Sequence, residues 1–290
     1  MGPSFPMLPV IATGKMEPKN QIKFMTYNVW SREDVVVYKR MKAIISLVKG
    51  SKPDVIFFQE IAPYIHSILE SSEWWKEYQC SPVFPEEQAT KQQFCLLLSK
   101  LPLENFARWK FSNSPTGRGY LEADINPDPA TMKPIRVATT QLERPNLPAS
   151  MHCMERYVQA EHAVAALSSA DNVVFGGDMC WGDDTDRPFP LPAGWADAWT
   201  QLNPHDSFWT YDSIWDEEVR VFNGHIVPYD SMKKRSDRFI CKLKDYRLSG
   251  IRVIGDNAIG LRCERRKVLS SFIDLYPSCH RGLVLTILPN

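Results

Sequence analysis

The sequence predicts an α/β fold, a four-layer α/β/β/α sandwich of two packed, mostly antiparallel sheets with helices outside. Three observations carry that expectation. Short apolar runs far outnumber helical patterns between Lys23 and Leu288. The helical patterns lie early or midway, so no strict strand–helix alternation runs through the chain. Hydrophobic residues make up 44% of the 290, with 9 Trp, 10 Tyr and 14 Phe, which suits a large and specifically packed interior. Folds with two packed sheets reach this length around one core. Residues 1–20 hold several Pro and Gly and no hydrophobic period, so they read as a flexible lead-in to a single domain over 21–290.

The elements follow in order. Lys23–Val29 reads as a strand and 35–49 as a helix whose Tyr38, Met41, Ile45 and Val48 share one face. Val55–Phe58 is a continuous apolar run ending at Gln59-Glu60, as in a strand buried on both faces. A second helix is expected over 61–71. Short strands follow near 94–99, 106–111, 120–125 and 134–142. A long helix over 152–167 turns Tyr157, Ala160, Val164 and Leu167 inward. Asn172–Gly177 is another buried strand, and the last strands are expected near 208–211, 238–243, 248–254 and 282–288.

Composition excludes several classes. Lys plus Arg and Asp plus Glu both number 34, so a nucleic acid would be held by local patches and not by a global field. Lys233-Lys234-Arg235 and Arg265-Arg266-Lys267 are the candidate patches, although either alone reads as solvated loop charge. The seven cysteines form no C-x-x-C pair, which argues against a zinc ribbon and a secreted disulfide framework. No signal-peptide pattern and no membrane-length apolar run is present. The expectation is a reduced, monomeric protein of the nucleus, the cytoplasm or both, neither secreted nor membrane-bound.

Polar residues terminate the predicted buried strands: Asn28, Glu60, Asp178, and Cys279-His280 just before the last strand. Strand ends at one edge of a sandwich can converge on a site. Taken singly, each has a plainer reading: an Asx-turn for Asn28, a solvated strand end for Glu60, a turn aspartate for Asp178, a structural histidine for His280.

Five motifs change that balance: Tyr27-Asn28-Val29, Pro53-Asp54-Val55-Ile56-Phe57-Phe58-Gln59-Glu60, Gly176-Gly177-Asp178-Met179, Ser236-Asp237-Arg238-Phe239 and Ser278-Cys279-His280-Arg281-Gly282-Leu283. In that order they resemble the endonuclease/exonuclease/phosphatase superfamily. Within it the chain is most similar to the five-prime tyrosyl-DNA phosphodiesterases, plant-type branch, over about 22–287. The resemblance implies a divalent-metal-dependent phosphodiesterase of DNA repair, using Mg²⁺ or Mn²⁺, with DNA bearing a five-prime tyrosyl adduct as partner. It implies Glu60 and Asn28 as metal residues, with Asn28 also catalytic. Asp178 is then the residue that orients and deprotonates water, and Asp237 the partner that keeps His280 charged and aimed at the phosphate. Arg118, in Gly117-Arg118, also matches a family element and is expected to bind substrate. Such chemistry needs a hard cation, an oriented water and donors for developing charge.

Three positions depart from the family pattern. Gln141 stands for a histidine, Cys180 for an asparagine and Cys279 for an aspartate. Gln141 keeps an NH₂ donor for the substrate but carries no charge. Cys180, at a substrate-binding position, loses an amide donor of a kind worth roughly 10²–10³ in rate. Cys279 offers a thiol where a hard metal prefers oxygen. These substitutions predict a weakened enzyme and set beside it a second reading, a catalytically inactive relative that binds DNA ends or a protein partner. A cluster of Cys180, Cys279, His280 and Asp178 would also have the ligand types for Zn²⁺.

Overall fold

The computed structural model describes residues 21–83, 93–128, 130–146, 151–206, 208–212, 221–222, 225–226, 233–264 and 272–290. The expected lead-in over 1–20 and the Arg265-Arg266-Lys267 cluster lie outside them. In chain order the elements begin with β1 (Ile22–Asn28), α1 (Val37–Ser51), β2 (Val55–Ile61), α2 (Pro63–Glu70), β3 (Gln79–Cys80), β4 (Phe94–Ser99), β5 (Leu103–Lys110), β6 (Gly119–Ile125) and β7 (Ile135–Gln141). They continue with α3 (Cys153–Leu167), β8 (Asn172–Asp178), β9 (Trp195–Asp197), α4 (Ala198–Leu202), β10 (Tyr211–Asp212), β11 (Val221–Phe222), β12 (His225–Ile226) and β13 (Lys233–Lys234). The last are β14 (Asp237–Leu243), β15 (Tyr246–Ile254), β16 (Arg262–Glu264), β17 (Phe272–Asp274) and β18 (Gly282–Pro289).

Two six-stranded sheets form, in the orders β15-β18-β1-β2-β4-β3 and β5-β6-β7-β8-β14-β9. Alternation along each strand divides the apolar residues between two faces. Ile22 and Phe24 of β1, Val55 and Phe57 of β2, Val137 of β7, Val174 of β8 and Phe239 of β14 pack between the sheets. The opposite face of the first sheet, with Met25, Ile56 and Phe58, is covered by Met41, Ile44 and Val48 of α1 and by Ile65 and Leu69 of α2. The opposite face of the second, with Ala138 and Phe175, is covered by Ala160, Val164 and Leu167 of α3. The four layers are those the sequence predicts.

One helix face needs correction. Tyr38 is 66% exposed, because α1 starts at Val37 and buries Val37, Arg40, Met41, Ile44 and Val48. Arg40 takes a place on the buried stripe by donating to the carbonyl oxygens of Val29, Trp30, Arg32, Val35 and Pro277. A hydrophobic count treats that arginine as polar and rotates the expected face toward Tyr38.

Candidate active site

Strand direction brings the site together. β1 runs parallel to β2, and β7 runs parallel to β8, so four strands finish at one edge of the sandwich. β14 is antiparallel to β8 and begins there, with Asp237 opposite Asp178. β18 is antiparallel to β1 and starts there too, just after His280. The rows that face between the sheets are apolar through the middle of the molecule and turn polar toward this edge. Thr26, Gln59 and Thr139 form an intermediate layer, in which Gln59 Nε2 donates to Thr26 Oγ1 at 3.2 Å and to Thr139 Oγ1 at 3.0 Å. Beyond it lie Asn28, Gln141, Asp178 and Asp237, all buried.

Glu60 reaches the same edge through a local irregularity. The β2–β4 register slips between Phe58 and Ile61, which places one extra residue in β2, and Glu60 takes φ +58°. A bulge of this kind re-aims a side chain, and a non-glycine residue in the left-handed region is held there by its surroundings. The holding contacts are to the carboxylate. Ser31 donates its N–H and its hydroxyl to Oε2 at 3.1 and 3.2 Å, and Gln141 Nε2 donates to Oε1 at 2.8 Å. Burial pushes the Glu60 carboxyl upward, but the His280 charge, the Ser31 N–H and Gln141 outweigh it and leave Glu60 below its ordinary value.

Asp178 is the hub. Its Oδ2 accepts from Asn28 Nδ2 at 2.9 Å and Gln141 Nε2 at 3.1 Å, and its Oδ1 accepts from Ser236 Oγ at 2.6 Å and the Cys180 N–H at 2.9 Å. Burial works against ionisation, yet the His280 charge and these donors bring the carboxyl down to about 2. His280 Nδ1 lies 2.8 Å from Asp237 Oδ2, and its Nε2 lies 3.9 Å from Asp178 Oδ2. Burial alone would lower the imidazole pKa; Asp237 and Asp178 instead raise it well above the ordinary value. The Asp237 carboxyl is itself raised, chiefly by its burial.

The expected site residues therefore meet. Asn28, Glu60, Gln141, Asp178, Asp237 and His280 form one hydrogen-bonded and electrostatic cluster. Glu60, Gln141, Asp178 and His280 line a cleft of about 410 Å³ with Trp30, Ser31, Cys180, Tyr211, Lys234, Ser236 and Cys279, while Asn28 and Asp237 support them from the buried side. Arg118 joins from β6's leading edge by donating from Nη1 to Gln141 Oε1. Cys180 differs from the expectation for it: its Sγ lies 3.4 Å from the Leu142 carbonyl oxygen, while its backbone N–H serves Asp178. The zinc reading fails on geometry. Among the described residues the one group of close ligand atoms is Asp178, Asp237 and His280, within 4.8 Å, and neither thiol belongs to it.

Sequence reasoning missed Ser31 and Tyr211, and gave Ser236 no role although it opens one of the matched motifs. Ser31 is visible only as a short polar residue beside a matched motif. Tyr211 lies 4.9 Å, ring to ring, from His280, and its place depends on a bridge that pairs positions 211 and 280. The reading of Lys233-Lys234-Arg235 as solvated charge is also corrected. Lys234 is buried and lines the cleft, and Arg235 pairs with Asp183 and Asp197.

A family profile of endonucleases, exonucleases and phosphatases matches residues 25–179, which takes in Asn28 at the end of β1, the Glu60 bulge and Asp178. The chain belongs to the endonuclease/exonuclease/phosphatase family. A 5'-tyrosyl-DNA phosphodiesterase of Caenorhabditis elegans is 22% identical over 217 residues, covering 73% of this chain and 57% of the relative. Tyrosyl-DNA phosphodiesterase 2 of Xenopus tropicalis is 22% identical over 215 residues, covering 72% and 55%. The matched region thus spans little more than half the length of these relatives. Among solved structures, D. rerio TDP2 complexed with single-strand DNA product superposes with a TM-score of 0.70 at 18% identity, covering 93% of this chain and 99% of that one. The human Nocturnin catalytic domain with bound sulfate gives 0.65 at 14% identity, covering 93% and 94%. These superpositions establish the fold for this member of the endonuclease/exonuclease/phosphatase family. They do not distinguish one family chemistry from another.

Proposed function

We propose that this chain is a divalent-metal-dependent phosphodiesterase that removes tyrosyl adducts from the five-prime ends of DNA. The carrying observation is the convergence of Glu60, Asn28, Asp178 and the Asp237–His280 pair at one strand-end edge. The tyrosyl-DNA relatives supply the substrate class.

The donor set fits a hard cation. Glu60 and Asp178 are buried carboxylates kept ionised at the cleft and joined through Gln141, and carboxylate and amide oxygens are the ligands Mg²⁺ and Mn²⁺ prefer. Glu60, with Asn28 beside it, would hold the ion. His280 is kept as an imidazolium, which has no lone pair for a metal, so it and Asp237 are assigned to the phosphate. When bound, the ion would supply positive charge to the phosphate oxygens and activate a water. Asp178, at about 2, is a weak base, so its main contribution is to orient the nucleophile as an acceptor. Protonated His280 donates to the oxygens on which charge develops, and Asp237 fixes its ring. Arg108, Lys110, Arg118 and Arg144 line an adjoining cleft that shares Gln141, and they give the DNA backbone a cationic track. Action as a monomer in the nucleus belongs to the same proposal. Nothing in the fold or its comparisons favours the catalytically inactive reading.

The test is cleavage of a five-prime phosphotyrosyl oligonucleotide in Mg²⁺ and in Mn²⁺. Tyrosine release that disappears in EDTA and in Glu60→Ala is the expected result. Folded protein that releases none above these controls overturns the proposal.

A further inference from the structure

Lys234 is a buried cation whose charge is matched by no carboxylate within ion-pair distance among the described residues. It is 9% exposed, lines the cleft and, among the described residues, forms no ion pair or side-chain hydrogen bond. The two nearby carboxylates are engaged elsewhere. Asp178 accepts from Asn28, Gln141, Ser236 and the Cys180 N–H. Asp186 accepts from Arg156 at 2.6 Å and from the Gly182 N–H at 2.8 Å. Burial lowers the Lys234 pKa, Arg156 adds to that, and the carboxylates of Asp186 and Asp178 oppose it. A buried ammonium without a carboxylate partner costs free energy and is stabilised by an arriving anion.

Its position is built and not incidental. β13 pairs with β10 so that Lys234 stands opposite Tyr211, the residue whose ring lies on His280. The Lys234 carbonyl accepts from the Thr210 N–H at 2.8 Å, and Thr210 Oγ1 in turn accepts from the Asp237 N–H. Directly opposed residues of an antiparallel pair project from the same face, so Lys234 and Tyr211 enter the cleft side by side. The neighbouring Lys233 is exposed, with its ammonium 5.0 Å from the Trp209 ring centroid. Three consecutive basic residues therefore take three different environments.

We propose that Lys234 is a phosphate-binding residue of this site, contacting the non-bridging oxygens of the terminal phosphate from the side of the cleft it shares with Tyr211. The inference rests on the phosphodiesterase reading and deepens it. Gln141 has an amide where the family resemblance leads one to expect a histidine, so the charge that histidine could carry is missing there, and Lys234 contributes a buried cation from β13. Lysine suits the task as a compact point charge for phosphate.

The experiment measures binding of two oligonucleotides of the same sequence, one with a five-prime phosphate and one with a five-prime hydroxyl, by fluorescence anisotropy in Mg²⁺. The wild type is expected to prefer the phosphate. Lys234→Met should lose about tenfold in affinity for the phosphorylated probe and leave the hydroxyl probe unchanged, while Lys234→Arg keeps most of the preference. Lys110→Met, on the outer track, should weaken both probes alike. Retention of the phosphate preference in Lys234→Met overturns the assignment, as does an equal loss for both probes. A wild type with no preference and no cleavage overturns the phosphodiesterase reading itself, a different result from the first two. Should Lys234→Met fail to fold, the same comparison on Lys234→Gln decides.

Discussion

At φ +51°, Cys180 occupies the left-handed region, which cysteine adopts reluctantly and asparagine adopts well. The family resemblance leads to asparagine at this position, so backbone and chemistry ask for the same residue. The structure shows how cysteine is accommodated: the N–H still serves Asp178, and the thiol, raised in pKa chiefly by burial, packs toward the Leu142 carbonyl. What is lost is the side-chain amide and not the frame around Asp178. Cys180→Asn is therefore expected to raise stability to urea by about 1 kcal/mol, from relief of the strained backbone. It should also raise turnover by about tenfold, below the roughly 10²–10³ that a well-placed donor can contribute. A stability gain without a rate gain would show that 180 is a backbone position only. Gln141 differs in kind. Its NH₂ bridges Glu60 and Asp178, an arrangement that holds two acids together in a neutral way.

At the scale of the elements, the strands were legible because each is an apolar run punctuated by polar residues. Val55–Phe58 could be read as buried from its composition, and Asn172–Gly177 likewise. The β2 bulge was not legible. Nothing in Phe58-Gln59-Glu60-Ile61 announces a register slip, which arises from pairing with a strand more than thirty residues away. The short strands β3, β9 and β13 escaped for the same reason, since two or three residues carry no period and become strands only through a partner, and the strand expected near 208–211 is realised only as β10 at its end. The glycines of β8 show what such pairing demands. A Cβ on Gly176 would come within 2.7 Å of both the Phe57 and the Phe239 ring, so this glycine lets the two sheets close over the aromatic core just below Asp178. Gly176→Ala is expected to cost about 1–3 kcal/mol through overpacking, measured by urea unfolding. An unchanged midpoint would mean that the rings move aside freely and that the sheets are not in tight contact there.

Across the whole molecule, the site is a contact between its two halves. Asn28, Glu60 and His280 come from the first sheet and its connections, while Gln141, Asp178 and Asp237 come from the second. Motif order identified the participants, but only the two parallel pairs and the antiparallel return strands explain why residues 28, 178 and 280 meet. The electrostatic tie across the sheets then has a consequence for stability. The folded-state pKa of His280 is well above 6.5, held up by Asp237 and Asp178 against the effect of burial. A group raised in this way binds its proton more tightly in the folded state, so its stabilisation is fully present below 6.5 and is lost as pH rises through the folded value. Urea unfolding of wild type and His280→Gln, followed from below 6.5 upward, should show the largest difference at the acid end and a shrinking one toward alkaline pH. A difference independent of pH would mean that His280 joins the sheets by packing alone, and its role as the charged donor to phosphate would fall with that result.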